Sequence, residues 1–391
     1  MEFNLKRLAI ITTHPIQYNA PWFKLLNERG IIQIKVFYTW GEEVLRKKYD
    51  PGFDKNIEWD IPLLEGYEYT FVQNISKQPG SHHFIGIDNP TLIADIEDWN
   101  STAILVFGWS FKSHLKALRH FKGKKKILFR GDSNLLDEEA GFSFKKTARR
   151  IFLRWVYSHV DIALHVGTAN KEYYLAHGFK NAQLVFAPHA IDNDRFMQDV
   201  TSIKREESGI PPDAFVFIFT GKFETKKDPQ ILLDTFIRLK DTNAHLLMVG
   251  NGELEKQLKT KAGLQPAAIS SRIHFLPFQN QLQMPAIYGM GDVLVLPSRG
   301  PGETWGLAVN EAMACSVAVL VSDKCGCAVD LVKAGKNGFV FKSKDGNDLL
   351  KKMEMLLSDH QQIAAMGNQS LQIIQSWNFE KICIAVEQCI E

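Results

Sequence analysis

The sequence predicts an α/β protein made of two doubly wound domains with parallel sheets. Short, continuously apolar segments alternate with helical stretches along the whole chain. Strands of this kind are typical of a parallel sheet that helices cover on both faces. The chain has 391 residues, which suggests two domains rather than one. The strand pattern also starts again in the second half, so we expect one sheet in each half.

In the first half, a helix is predicted at Ala20–Glu28 between the first two strands. The strands are short apolar runs: Leu8–Ile11, Ile34–Phe37, Ile104–Phe107, Lys126–Phe129, Ile162–Val166 and Leu184–Phe186. The second half repeats the pattern with the strands Phe215–Phe219, Ala244–Val249, Arg272–Leu276, Asp292–Leu296, Ala318–Val321 and Gly338–Phe341. Its predicted helices are Pro229–Leu239, Leu254–Ala262, Glu303–Ala314 and Asp348–Leu356.

The break between the halves is predicted in a polar stretch that ends in Gly209-Ile210-Pro211-Pro212. We therefore expect an N-terminal domain at 1–195, a linker at 196–212, a C-terminal domain at 213–372 and a C-terminal helix at 373–391 that packs back toward the N-terminal domain. Ligands of doubly wound sheets bind beyond the carboxyl ends of the strands. Two such domains facing one another would form a cleft with a donor on one side and an acceptor on the other.

The composition is that of an ordinary globular protein, with 45% hydrophobic and 23% charged residues. A net charge of +2 argues against a general nucleic-acid binder. The five cysteines contain no Cys-x-x-Cys pair, so neither a zinc site nor a disulfide framework is indicated. No secretory leader or membrane-spanning run is visible, and we expect a cytoplasmic protein.

Two acidic residues carry the clearest functional signal. Glu303 follows the apolar run Val293–Leu296 and a Pro-Ser-Arg-Gly-Pro-Gly turn, and Glu311 is expected about two turns into the helix that follows. A helix N-terminus attracts phosphate, whereas two carboxylates beside it would repel phosphate and instead suit hydroxyl groups. Phosphate and hydroxyl groups together describe a nucleotide sugar.

These motifs resemble the retaining glycosyltransferases of family 4, which have the GT-B fold, and among them a bacterial surface-polysaccharide type. The dense part of the resemblance covers about residues 215–345. It is carried by Gly221-Lys222-Phe223 with Lys227, Val249-Gly250-Asn251-Gly252, Tyr288 through Ser298, Glu303 through Ala314, and Asn337-Gly338-Phe339. The first half matches more weakly, through His14-Pro15-Ile16-Gln17-Tyr18 and Pro188-His189-Ala190-Ile191-Asp192. It lacks the family's Gly-Gly loop and, at Phe129-Arg130-Gly131-Asp132-Ser133, the acceptor-side histidine.

The resemblance implies a hexosyltransferase-type enzyme that moves a sugar from a UDP- or GDP-linked donor, without a cofactor or metal, to a glycan or lipid-linked acceptor. It further implies that Glu303 binds sugar hydroxyls and Glu311 the ribose. Cations that face the departing diphosphate lower the barrier to transfer. On these grounds the residues assigned to catalysis are Lys222, Lys227, Glu303 and Asp132. Those assigned to the donor are Gly221, Pro277, Phe278, Ser298, Thr304, Trp305, Gly306, Leu307 and Glu311. Those assigned to the acceptor side are His14, Gln17, Trp109 and His189.

Several of these residues have a structural alternative. Lys222 and Lys227 could form a solvated turn, and Asp132 could serve only to shape one. His14 could cap or pack instead of contacting a ligand. The stretch Asp192-Asn193-Asp194 matches a metal-binding Asp-x-Asp pattern, but Asp and Asn also suit turns and helix caps, which we favour.

A basic stretch in the first half predicts an amphipathic helix. Its cations are Lys145, Lys146, Arg149, Arg150 and Arg154, and its apolar residues are Ile151, Phe152, Leu153, Trp155 and Val156. Such a helix can lie on an anionic membrane, which would fit an acceptor carried on a lipid diphosphate. The alternative is a solvated helix with an ordinary core face.

Two other functions stay open at this point: a sugar-nucleotide epimerase of the same architecture, and a non-catalytic nucleotide-sugar-binding protein. An oxidoreductase is not indicated, because no Gly-x-Gly-x-x-Gly follows the first strand. The sequence does not identify the nucleobase, the sugar or the acceptor. We expect the base to be recognised through backbone groups near Leu276–Gln279.

Overall fold

A computed structural model describes residues 6–42, 49–50, 53, 55–56, 58–138, 143–198 and 205–390. The chain divides into two compact units. Unit 1 consists of Met1–Lys48, Pro62–Pro188 and Phe379–Glu391, and unit 2 consists of Tyr49–Ile61 and His189–Asn378. The change from unit 1 to unit 2 therefore falls at 188/189, upstream of the expected linker at 196–212.

Unit 1 is built on a seven-stranded parallel sheet. The strands of the first half are β1 (Arg7–Thr12), β2 (Gln33–Tyr38), β3 (Tyr49–Asp50), β4 (Lys55–Asn56), β5 (Glu68–Phe71), β6 (Ala103–Phe107), β7 (Lys126–Arg130), β8 (Ile162–His165) and β9 (Leu184–Phe186). The sheet order is β5-β2-β1-β6-β7-β8-β9, while β3 and β4 form a separate antiparallel ribbon that belongs to unit 2. The helices that accompany this sheet are α1 (Ala20–Glu28), α2 (Leu92–Asp98), α3 (Lys112–Phe121), α4 (Phe144–Tyr157) and α5 (Thr168–Ala176).

Unit 2 repeats the architecture with a six-stranded parallel sheet. Its strands are β10 (Phe215–Thr220), β11 (Ala244–Val249), β12 (Ile273–Leu276), β13 (Val293–Leu296), β14 (Ala318–Ser322) and β15 (Gly338–Phe341), in the order β12-β11-β10-β13-β14-β15. Every residue of β10, β11 and β13 is buried, as expected for central strands of a covered sheet. The strand order reverses at β10, which pairs with both β11 and β13, and such a reversal marks the ligand-binding end of a doubly wound sheet.

The helices of unit 2 are α6 (Asn193–Phe196), α7 (Pro229–Arg238), α8 (Glu255–Gly263), α9 (Ala267–Ser270), α10 (Met284–Gly289), α11 (Leu307–Ala314), α12 (Ala328–Leu331), α13 (Gly346–Leu357) and α14 (His360–Ile374). The core of this unit joins side chains of β10, β11, α7 and α13, among them Phe217, Leu246, Phe236 and Met353. In the described part of the chain, no helix is both long enough and apolar enough to cross a bilayer.

The last helix, α15 (Phe379–Ile390), packs on α1 and so returns the chain to unit 1. Arg29 at the end of α1 donates from Nε and Nη2 to the two carboxylate oxygens of Glu387, at 2.7 and 2.8 Å, and also pairs with Glu380. This fork of hydrogen bonds ties the two helices together with a defined geometry.

Candidate functional site

A buried ion pair lies at the carboxyl end of the unit 2 sheet. Lys227, in the loop after β10, places its Nζ 2.5 Å from Oε2 of Glu303, in the loop after β13. Ser298 Oγ donates a hydrogen bond to the same carboxylate oxygen at 2.8 Å. The side chain of Glu303 is only 8% exposed and that of Lys227 only 18%. Lys227, Glu303 and Ser298 are thus brought together, as their assignment to one site requires.

The ion pair sets the charge state of the lysine. Burial alone would lower the pKa of Lys227, but the nearby Glu303 carboxylate raises it above its ordinary value through charge attraction and a hydrogen bond. Lys227 therefore carries a positive charge at neutral pH. A permanent cation at the reversal point of the sheet is suited to hold a diphosphate.

The loop that carries Glu303 is shaped by backbone hydrogen bonds. The backbone N–H of Gly326 donates to the carbonyl of Glu303 at 3.3 Å, and that of Cys327 donates to the carbonyl of Trp305 at 3.1 Å. Ser322 Oγ also donates to the carbonyl of Ser298. The residues at the end of β14 and just after it therefore hold the loop that follows the neighbouring strand β13.

The helix predicted at Glu303–Ala314 begins only at Leu307, so the prediction is wrong at its start. Gly306 has φ = +101°, which a helix does not contain, and a Cβ atom there would lie 2.8 Å from Cδ2 of Leu296. Glu303 consequently lies in the loop rather than in the first turn. Glu311 lies little more than one turn into α11, not two.

Glu311 is held by a buried tyrosine. Tyr288 in α10 donates its hydroxyl proton to Oε2 of Glu311 at 2.7 Å, and the same hydroxyl lies 2.8 Å from Oγ1 of Thr220 at the end of β10. Tyr288 is fully buried and Glu311 nearly so. In the sequence, Tyr288 is only the first residue of a motif. Its contact with Glu311 could not be predicted because 23 residues separate the two.

Trp305 anchors the start of α11 instead of exposing its ring. Its Nε1 donates to Oδ1 of Asn310 at 2.8 Å, and Nδ2 of Asn310 donates to the carbonyl of His189 at 2.9 Å. The indole lies against the rings of His189 and Trp377, at centroid distances of 5.8 and 5.2 Å. His189, assigned to the acceptor side, thus belongs to unit 2 and contacts a donor-assigned residue.

Two glycines let the loops after β10 and β11 approach closely. Gly221 has φ = +141°, and a Cβ atom on Gly250 would lie 1.9 Å from the carbonyl oxygen of Gly221. Asn251 extends this contact, because its carbonyl accepts from the backbone N–H of Phe223 at 2.8 Å and its side-chain oxygen accepts from that of Phe278 at 2.8 Å. The donor-assigned Gly221 and Phe278, which follows Pro277, are therefore linked through one loop.

In unit 1, three assigned residues follow the neighbouring strands β1, β6 and β7. These residues are His14, Trp109 and Asp132, and parallel pairing places them at one edge of the sheet. Burial lowers the pKa of His14 to about 4, so this imidazole is neutral at pH 7. Its Nδ1 lies 2.8 Å from Thr13 Oγ1. Gln17 follows on the same loop, just before α1.

The loop of Asp132 is held by buried neighbours. Arg130 donates to the carbonyls of Ala187 and Pro188, both at 2.9 Å, and burial lowers its pKa to about 10. Tyr174 donates to the carbonyl of Gly131 at 3.0 Å. The Asp132 position is thus built into the carboxyl edge of the unit 1 sheet.

The stretch Asp192-Asn193-Asp194 forms a capped turn. The side chain of Asp192 accepts from the backbone N–H of Arg195 at 3.3 Å and caps α6. Asn193 is buried and donates to the carbonyls of Ile374 and Trp377 at 3.1 and 3.2 Å. This geometry matches the cap interpretation of the motif.

Helix α4 has a core face and an exposed apolar face. Leu153, Val156 and Tyr157 are buried. The apolar residues on its exposed side are Phe144, Ile151, Phe152 and Trp155, which are 84%, 65%, 41% and 42% exposed. Trp109 packs on Phe152 with ring centroids 5.4 Å apart. Helix α4 therefore carries exposed apolar side chains in addition to its core face.

Two parallel-sheet units of this kind define the GT-B fold, and solved structures confirm it. Sucrose-phosphate synthase from Thermosynechococcus elongatus aligns over 98% of both chains with 17% identity and a TM-score of 0.71. Anabaena HepE in complex with UDP and glucose aligns over 98% of both chains with 17% identity and a TM-score of 0.70. Residues 200–372 match the family model of Glycosyl transferases group 1. The resemblance noted in the sequence is therefore confirmed for this part of the chain.

Curated relatives support the same conclusion. The D-inositol 3-phosphate glycosyltransferase of Corynebacterium jeikeium is 27% identical over 242 residues, which are 58% of this chain and 56% of that protein. The protein of the same name from Streptomyces bingchenggensis is 27% identical over 52% of this chain and 46% of that protein. The chain spans about half the length of the curated relatives it matches.

Proposed function

We propose that this protein is a retaining glycosyltransferase that moves a hexose from a UDP- or GDP-linked sugar to a glycan or lipid-linked acceptor. The group 1 domain and the names of the curated relatives support glycosyl transfer. The solved HepE complexes with UDP, glucose and UDP-glucose support a nucleotide-sugar donor. We place the activity in bacterial surface-polysaccharide assembly, in the cytoplasm.

One observation carries the proposal: Lys227 and Glu303 form a buried ion pair at the reversal point of the unit 2 sheet. A diphosphate offers Lys227 a new anionic partner, and sugar hydroxyls offer Glu303 hydrogen-bond donors. When the donor binds, Lys227 can thus exchange Glu303 for the diphosphate, and Glu303 can exchange Lys227 for the sugar hydroxyls. This exchange keeps both buried charges compensated, which an uncharged ligand would not do.

Lys222 and Lys227 would stabilise the diphosphate as the sugar bond breaks, because charge then builds on the phosphate oxygens. The backbone N–H groups of Thr304, Trp305, Gly306 and Leu307 precede or open α11 and would add to this stabilisation. Glu311, oriented by Tyr288, would accept hydrogen bonds from the ribose. This arrangement needs neither a metal nor a cofactor, because lysine and N–H groups supply the positive charge.

Retention of anomeric configuration requires the acceptor to attack from the face that the diphosphate leaves. The departing phosphate can then take the acceptor proton, so no strong protein base is needed. We assign acceptor binding to the carboxyl edge of the unit 1 sheet, where His14, Gln17, Trp109 and Asp132 lie. Asp132 would orient the acceptor hydroxyl.

We also propose that the exposed face of α4 rests on an anionic membrane at the inner face of the plasma membrane. Its apolar side chains would enter the headgroup region while Lys145, Lys146, Arg149 and Arg150 contact anionic lipid. Unit 1 would then lie at the membrane surface in which a lipid-linked acceptor is anchored.

The test of the function is donor turnover by the full chain. UDP- and GDP-sugars are incubated with the protein in EDTA, and released UDP or GDP is measured with and without a lipid-linked or glycan acceptor. We expect one donor to release its nucleoside diphosphate, faster with acceptor, and Glu303→Gln to lower kcat/KM by about 100-fold or more. Full activity of folded Glu303→Gln, or turnover only with added metal, would contradict the proposal.

A further inference from the structure

Three aromatic side chains form a cluster at the carboxyl end of the unit 2 sheet: Phe53, Trp59 and Phe278. The ring centroid of Phe53 lies 4.7 Å from that of Phe278, and the centroid of Trp59 lies 6.4 Å from it, both edge to face. All three side chains are half-buried. Phe53 and Trp59 come from the segment Tyr49–Ile61, which belongs to unit 2 although the chain on either side belongs to unit 1.

Polar contacts between residues 58–60 and residues 280–282 hold the cluster in place. Nδ2 of Asn280 donates to the carbonyl of Glu58 at 2.5 Å. The backbone N–H of Leu282 donates to the carboxylate of Asp60, at 3.1 and 3.3 Å from its two oxygens. Phe278 itself is fixed by its N–H bond to Asn251. The cluster is therefore anchored in unit 2 by more than apolar contact.

The cluster lies beside the proposed diphosphate site. Nζ of Lys222, in the loop after β10, lies 4.9 Å from the centroid of the Phe53 ring. Phe278 follows β12, the edge strand next to β11. The cluster thus extends from the proposed phosphate position toward the β12 edge, which is the direction left for the nucleoside if the sugar lies on the Glu303 side.

Three other aromatic side chains in this region are committed to packing. Phe223, Tyr288 and Trp305 are buried. The rings of Phe53, Trp59 and Phe278, in contrast, are only half-buried. Nucleobases stack on aromatic side chains with little dependence on base identity.

We propose that the aromatic cluster is the nucleobase subsite of the donor, with Phe53 as the stacking ring and Phe278 as its fixed support. The inference rests on the proposed function and adds a contribution from the side chain of Phe53 to a base site expected only from backbone groups near Leu276–Gln279. Lys222 leaves the ring face to bind the diphosphate, and the base takes its place on the ring.

The experiment compares ligands with and without a base. Dissociation constants of UDP, GDP and inorganic pyrophosphate are measured by calorimetry for the parent chain, Phe53→Ala, Phe53→Tyr and the control Phe84→Ala, which changes an exposed phenylalanine of unit 1. We expect Phe53→Ala to weaken UDP and GDP binding by about tenfold or more. Phe53→Tyr should restore it, and pyrophosphate binding should not change.

Two results would overturn the inference while leaving the donor site intact. Unchanged UDP and GDP affinity in Phe53→Ala would show that the ring does not contact the base. Equal losses for UDP and pyrophosphate would show that Phe53 only positions Lys222. If the parent chain bound neither nucleotide, the proposed function itself would fail, and the base subsite with it.

Discussion

Lys227 and Glu303 face each other across two neighbouring loops of unit 2, with Nζ 2.5 Å from Oε2. The lysine belongs to the loop after β10 and the glutamate to the loop after β13, so the pair connects the two strands at the reversal point of the sheet. Each group compensates the buried charge of the other. The pair therefore keeps both buried charges compensated in the free protein and holds both side chains in position for a ligand.

The first prediction concerns the stability of this pair. Lys227→Met leaves the Glu303 carboxylate buried without its cation, so we expect the free energy of unfolding to fall by about 3 kcal/mol. The double variant Lys227→Met/Glu303→Gln removes both charges and should recover most of that loss. Urea unfolding of both variants and the parent measures the difference. Equal stability of Lys227→Met and the parent would show that the pair is not a compensated buried unit.

The second prediction concerns Tyr288, whose hydroxyl orients Glu311. Tyr288→Phe keeps the buried ring but removes the hydrogen bond, and a buried polar group left without its partner costs about 1–3 kcal/mol. We expect KM for the donor to rise by about tenfold or more with a smaller change in kcat. Tyr69→Phe, on a partly exposed ring of unit 1, is the control and should change neither constant. A Tyr288→Phe enzyme with parental KM would refute the orienting role.

The third prediction concerns the start of α11. Gly306→Ala places a Cβ atom 2.8 Å from Leu296 Cδ2 at a φ of +101°, so we expect a loss of about 1–3 kcal/mol in stability and a lower donor affinity. Gly263→Ala is the matched control, because nothing lies within 4 Å of its Cβ position. Thermal unfolding with and without UDP reads out both effects. Identical behaviour of the two variants would mean that the loop tolerates a side chain.

The fourth prediction concerns acid stability. Burial lowers the pKa of His114 to about 4, although the carbonyls of Gly108 and Phe107 act in the opposite direction. The unfolded chain binds the proton near pH 6.5 and the folded chain only near 4, so stability falls as the pH drops through this window. Below pH 4, where His114 is protonated in both states, its effect lowers the free energy of unfolding by about 3 kcal/mol relative to neutral pH.

Urea unfolding at pH 7 and pH 5 tests this effect in the parent and in His114→Gln. The parent should lose more stability between the two pH values than the variant does, because glutamine does not titrate. Arg119→Gln, in the same helix α3, is a control that leaves the histidine in place. Parallel pH profiles for the parent and His114→Gln would contradict the assignment.

The fifth prediction concerns the exposed face of α4. Ile151→Ser combined with Phe144→Ser removes two strongly exposed apolar side chains, so binding to phosphatidylglycerol-containing vesicles should weaken by about tenfold or more. Binding of the parent should also decrease with added salt. Leu264→Ser, at an exposed site of unit 2, is the control for sedimentation with vesicles. Equal sedimentation of all three proteins would exclude this face as the contact.

The sequence predicted much of the fold because the central strands are continuously apolar. The predicted bounds of β9, β11 and β15 match the structure. Strand β5 was missed because it lies at the sheet edge, where Glu68 and Tyr69 are exposed and no continuous apolar run is needed. The start of α11 was misplaced because helical spacing does not show that Gly306 adopts a left-handed conformation.

Contacts between distant segments were beyond the sequence pattern. The hydrogen bond from Tyr288 to Glu311 depends on the packing of two helices, and the cluster of Phe53 with Phe278 joins residues from the two halves of the chain. Periodicity reports which face of an element is buried but not which element covers it. The sequence placed Lys227 and Glu303 at the same edge of one sheet and so in one site. It did not predict that the two side chains form an ion pair.

The most direct measurement compares binding of UDP and of the turned-over nucleotide sugar to Lys227→Ala and Glu303→Gln. If the lysine holds the diphosphate and the glutamate holds the sugar, Lys227→Ala weakens both ligands, whereas Glu303→Gln weakens the nucleotide sugar but does not weaken UDP, because it removes the carboxylate that competes with the diphosphate for Lys227. Equal effects of Glu303→Gln on both ligands, or unchanged UDP binding in Lys227→Ala, would contradict the division of roles on which the proposed function rests.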